Sequence, residues 1–139
     1  MFLTEEDFQV VIGDAALKAV SQVSEENRQN AEMEAIEEIS GYLRPKYDCK
    51  AIFSANGIER NSLIVMYTCD IALYHLVASM PQKMGSEIRK ERYERAVKWL
   101  EGVQAGKIVP DLPLVTDEDG SPVNGSFICG SQSKLRHNW

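Results

Sequence analysis

With 139 residues the chain has the size of one ordinary domain, long enough to bury roughly two-thirds of its unfolded surface. A hydrophobic share of 44% and a charged share of 26% are those of a globular protein, and no apolar run reaches the ~20 residues that span a bilayer. The net charge of −6 speaks against sequence-specific nucleic-acid binding, because phosphate contact needs a basic footprint.

Cys49, Cys69 and Cys129 are odd in number, widely spaced and without a C-x-x-C pair. They predict neither a disulfide framework nor a zinc site, and three reduced thiols fit a reducing compartment. The opening "MFLTEEDFQVV" has no basic region and turns acidic at residue 5, so it does not read as a signal peptide. Charge is unevenly distributed. Residues 1–40 hold ten acids against Lys18 and Arg28, a net of −8, whereas residues 81–107 hold seven bases against four acids, a net of +3. Opposite blocks of this kind meet inside a fold or between copies of it.

In chain order, Thr4 opens a short helix with three acids in its first turn. Phe8, Val11 and Ile12 form its apolar face, Gly13 ends it, and a second short helical piece starts at Asp14. Ser24 caps the next helix, in which Ala31, Ala35, Ile36, Ile39 and Leu43 recur at helical spacing until Pro45 stops it at about Arg44. Residues 45–60 read as a connection, with "KAIFSA" as a short extended piece and Asn56-Gly57 as a turn. The segment over 60–79, "RNSLIVMYTCDIALYHLVAS", is apolar nearly all round, as the central helix of a bundle is. After Pro81 and Gly85, Ser86 caps a helix reaching Ala105, with a stripe of Ile88, Tyr93, Ala96, Val97, Leu100 and Val103.

Beyond Gly106 the helical periodicity is lost. Pro110 and Pro113 forbid its return, and Ile108, Val109 and Leu112 are apolar enough to pack back on the bundle. The expected architecture is an all-α multihelical bundle over 1–106, with two short and three long helices, and an irregular C-terminal arm over 107–139.

The residues that carry chemistry are few. His75 and His137 are the only histidines, and no metal-ligand spacing accompanies them. Asp117, Asp119 and Ser121 alternate as in a calcium loop, yet Pro122 stands where glycine is required and Ile128 where glutamate is. No nucleophile or second acid accompanies Asp70, so no catalytic set, metal or cofactor is expected. Asp70 is costly to bury unpaired in so apolar a helix, which predicts a structural ion pair with Arg60, Arg89 or Arg92, or else a place at the solvent. Arg89, Arg92 and Arg95 fall about one turn apart and form either a basic ridge or a solvated face laced with i, i+4 pairs. Trp139 at the end of the chain is a candidate docking residue.

Four stretches, "MFLTEEDF", "AIEEISGYLRPKYD", "CDIALYHL" and "RYERAVKWLEGVQAGKI", in this order, resemble Mu-like phage and prophage proteins assigned as head–tail connector (head-completion, tail-adaptor) components. The resemblance covers about residues 1–110. The chain departs from the family in a longer connection at 45–60 and in its own terminal "GSQSKLRHNW". The resemblance implies a small helical subunit without catalytic residues, which forms a ring and bridges the portal and capsid vertex to the tail. It also implies portal and tail-completion proteins as partners, and a location in the bacterial cytoplasm and then the virion. On this reading Arg89, Arg92 and Arg95 face Glu32, Glu34, Glu37 and Glu38 of the next copy, a contact between unlike faces of the kind that closes a ring. The alternative is a non-viral helical interaction or regulatory module.

Overall fold

A computed structural model describes residues 1–79 and 86–122. Expectations for Pro81, Gly85 and Trp139 lie outside the described residues, as does the side chain of Ser86. The described residues form an all-α bundle with no named strand. Its helices are α1 (Glu5–Ser21), α2 (Glu25–Leu43), α3 (Cys49–Ser54), α4 (Ser62–Ser79) and α5 (Ser86–Gln104), with a 3₁₀ turn at Gly57–Glu59.

Local chemistry accounts for most boundaries. The Thr4 hydroxyl accepts from the Asp7 amide at 3.3 Å while the Asp7 carboxylate accepts from the Thr4 amide at 2.7 Å, a reciprocal capping box. Gly13, at φ 76°, takes a conformation closed to most side chains and divides α1 into two helical pieces. Ser24 caps α2 through the Asn27 amide, and Arg44 leaves the helix at ψ 148° ahead of Pro45. Asn61 caps α4 by accepting from the Leu63 and Ile64 amides at 3.0 and 3.1 Å. At the end of α5 the Gly106 amide reaches Val103 O and the Lys107 amide reaches Gly102 O, the paired bonds of a Schellman motif around Gly106 at φ 75°.

One element departs from its sequence reading. "KAIFSA" lies in α3, a helix, and is not extended. Asp48 accepts from the Ala51 amide at 3.0 Å, satisfying an orphan donor, and one helical turn then buries Ile52.

α4 is the hub. It packs against α1, α2 and α5, and Ile64, Cys69, Ile71, Ala72, Leu73 and Leu76 are buried around it. α2 adds Ala35, Ile39 and Leu43, and α5 adds Ala96, Leu100 and Val103. Full burial of each large aliphatic side chain contributes about 1.5–3 kcal/mol. Burial also pushes the Cys69 thiol well above its ordinary range, so it behaves as a small apolar core residue. Ile88, expected on the apolar stripe of the last helix, lies near its start and is exposed, as are Leu63 and Ala78 towards the ends of α4.

The chain after α5 returns to the bundle. A Cβ on Gly102 would lie 2.6 Å from Ile108 Cδ1, so the bare backbone of Gly102 admits the Ile108 side chain. Leu112 is buried, Asp48 N donates to Pro113 O at 2.9 Å, and Val115 N donates to Lys46 O at 3.1 Å. Residues 107–116 thus form a strap across the α2–α3 connection. Val109, expected to pack with Ile108 and Leu112, points outward instead. The Asp117 carboxylate turns back on its own loop, accepting from the Asp119 and Ser121 amides.

Candidate interaction surface

The charged residues separate into an enclosed set and an open set. Asp70, on α4, is 3% exposed, and its Oδ1 accepts from Arg92 Nε on α5 at 2.7 Å. Of the three cations within reach in sequence terms, Arg92 is the one bonded to it. Arg60 instead clamps the N-terminal segment: Nη1 donates to Phe2 O at 2.7 Å and to Asp7 at 2.6 Å, and Nη2 donates to the other Asp7 oxygen at 3.1 Å. Burial raises the Asp7 carboxyl, but the Arg60 and Thr4 hydrogen bonds outweigh it and hold the group below the usual carboxylate range. Arg89 is partly buried beside Arg92, and burial followed by repulsion from Arg92 lowers its affinity for the proton, with Asp70 acting in the opposite direction.

The acids of α2 are distributed in the same way. Glu32 is 3% exposed, and its Oε1 accepts from the Phe2 and Leu3 amides at 2.7 and 3.0 Å. It closes the N-terminal segment onto the bundle and presents no face to a neighbour. Glu37 binds both terminal nitrogens of Arg44 at 3.1 Å on the surface. Glu38 reaches inward between helices: Oε1 accepts from the Tyr93 hydroxyl at 2.6 Å, and Oε2 meets His75 Nε2 at 3.0 Å. Tyr93 stacks on Tyr74 with ring centroids 4.0 Å apart. Burial, and then the bond to Glu38, push its phenol above the ordinary range, so it remains a donor at any physiological pH. Glu34 lies 4.0 Å from the other ring nitrogen of His75. The two carboxylates address opposite sides of the imidazole and do not converge on one point, as metal ligands must. No cluster of three or more metal-ligating side chains occurs among the described residues.

The expected pairing of Arg89, Arg92 and Arg95 with Glu32, Glu34, Glu37 and Glu38 of another copy therefore needs correction at Arg92, Glu32 and Glu38. Arg92, Glu32 and Glu38 are bonded within the subunit, to Asp70, to the Phe2 and Leu3 amides and to Tyr93, and breaking such a bond strands the buried partner. Glu37 is engaged by Arg44. Arg95 remains outward, 62% exposed and 3.8 Å from Glu91. Nothing in the sequence marked Glu38 and Tyr93 as partners, since they lie on helices 55 residues apart.

The open set borders a groove along the C-terminal half of α5. Tyr67, Trp99 and Ile108 line it, with Arg95, Lys98 and Lys107 around them. Tyr67 and Trp99 are in ring contact at 5.1 Å. Trp99 is thus half core and half surface. No helix among the described residues is long and apolar enough to cross a membrane.

Residues 2–127 match the family model described as Bacteriophage Mu, Gp36. The chain belongs to that family. No curated protein and no solved structure matches it. The Gp36 match spans the whole bundle, the strap and the turn at Asp117, so the helical body and the first part of the arm fall within one family unit. Membership makes this a phage-type protein, and the Gp36 fold is, in this chain, an all-α bundle.

Proposed function

We propose that the chain is a structural virion-assembly subunit, a head–tail connector that forms a ring joining the portal and capsid vertex to the tail. The observation that carries the proposal is the family match over residues 2–127. It favours a phage role over a non-viral interaction module. The polar groups that would otherwise suggest chemistry are consistent with scaffolding. Asp70, Glu38 and His75 are each bonded across helices, and such cross-links stiffen a body that has to present fixed faces. In this reading the subunit needs neither catalysis nor a cofactor. Its partners are further copies of itself, the portal and the tail-completion proteins, first in the bacterial cytoplasm and then in the virion.

Deleting the gene from an inducible prophage tests the proposal. The expected result is DNA-filled heads and separate tails in electron micrographs of the lysate, joined again when the protein is supplied in trans. Complete particles of normal infectivity without the protein would end the connector reading.

A further inference from the structure

The α5 groove carries an inference that rests on the ring reading and makes it specific. We propose that this groove receives the α1 helix of a second copy of the chain.

The groove selects for an acidic, partly apolar occupant. Its floor offers the rings of Tyr67 and Trp99 and the side chain of Ile108, and three cations against Glu101 surround it. Lys98 and Lys107 have no ion pair among the described residues, and Arg95 has a 3.8 Å contact with Glu91. Cations left unneutralised around an aromatic floor attract carboxylates flanking a hydrophobic side chain.

α1 presents that pattern outward. Glu6, Gln9 and Val10 are exposed on its first two turns, and Val10 is 87% exposed although valine favours burial. Gly13 then redirects the chain, and Gln9 Nε2 donates to Asp14 Oδ1 at 2.6 Å, which brings a second acid beside the same stripe. The result is an apolar side chain with Glu6 on one side and Asp14 on the other.

These two surfaces do not meet within one chain, since no residue of α1 lines the groove. The Glu6–Asp14 stripe of α1 therefore reaches the basic groove only through a second copy. A contact between two unlike patches repeats from copy to copy and closes into a ring where the rotation permits. It also replaces a pairing in which Arg92, Glu32 and Glu38 are already bonded inside the subunit.

The test uses the full chain at low salt, with assembly followed by sedimentation velocity. Lys98→Glu with Lys107→Glu, and separately Glu6→Lys with Asp14→Lys, are expected to weaken association roughly tenfold or more each, and mixing the two variants is expected to restore it. All four side chains are on the surface, and unchanged helical circular dichroism in each variant separates lost assembly from lost folding. Val10→Cys with Ala105→Cys should give a disulfide between copies, identified by mass spectrometry. Rings that persist through both reversals without this cross-link would overturn the docking site and leave the connector reading standing. A chain that stays monomeric alone and with its portal protein would remove both.

Discussion

Arg92 and Arg95 lie less than one turn apart on α5, in the same run of alternating charge, and have opposite fates. Arg92 turns between α4 and α5 and bonds a carboxylate that is almost fully buried. Arg95 extends into solvent, where its Glu91 contact is long and exposed. The inner pair is a commitment of the fold: once Asp70 is enclosed, removing its partner leaves a desolvated charge. The outer pair contributes little to the fold, because water and salt screen it. Its cation is correspondingly available to another molecule. Charges needed for the monomer and charges left to solvent are thus interleaved along one helix.

Breaking the inner pair should have the largest effect. Arg92→Met strands Asp70 and is expected to cost about 3–5 kcal/mol in urea unfolding, whereas Asp70→Leu combined with Arg92→Met should recover most of that loss. If the single and double variants are equally unstable, the pair is not what matters at this position.

The clamp on the N-terminal segment comes next. Glu32→Ala leaves the Phe2 and Leu3 amides without their acceptor, which should cost about 1–3 kcal/mol. Hydrogen exchange at those two amides should accelerate before exchange in α4 does, and uniform acceleration through the whole chain would contradict a local latch.

The Asp7–Arg60 pair gives a smaller, pH-dependent effect. The folded-state carboxyl is held below its unfolded value, so its contribution is present above the unfolded value of about 3.9 and is lost as pH falls through the folded one. Asp7→Asn should therefore flatten the acid limb of a thermal-stability curve below about pH 4. An unchanged limb would assign the acid sensitivity to other carboxylates.

Cutting the outer pair is expected to do least. Glu91→Ala should change monomer stability by no more than about 0.5 kcal/mol, and a loss comparable to that of Arg92→Met would erase the contrast between the two arginines.

The main features of the bundle were legible because they depend on neighbours in sequence. Thr4, Ser24, Pro45 and Gly106 act within four or five residues through caps, φ restriction and left-handed backbone. The apolar character of 62–79 placed α4 at the centre for a similarly direct reason, since a helix without a polar face has to be covered. "KAIFSA" is helical where a local signal does exist, since Asp48 precedes it as a cap. Three of the expected interface residues are corrected for a different reason. Helical spacing shows which side chains share a face but not which face is covered, and Glu32, Glu38 and Arg92 are covered by segments 22 to 55 residues away.

By itself, then, the sequence determined where the long helices begin and end, which one is central and where helical periodicity stops at Gly106. Those outcomes follow from short-range sterics, capping and the requirement to bury apolar area. Only the tertiary structure decided the partner of Asp70, the inward turn of Glu32 and Glu38, and the opening of a basic aromatic groove beside Trp99. Each of these depends on segments distant in sequence arriving at one place, where low dielectric favours pairing of the enclosed charges while water screens those outside.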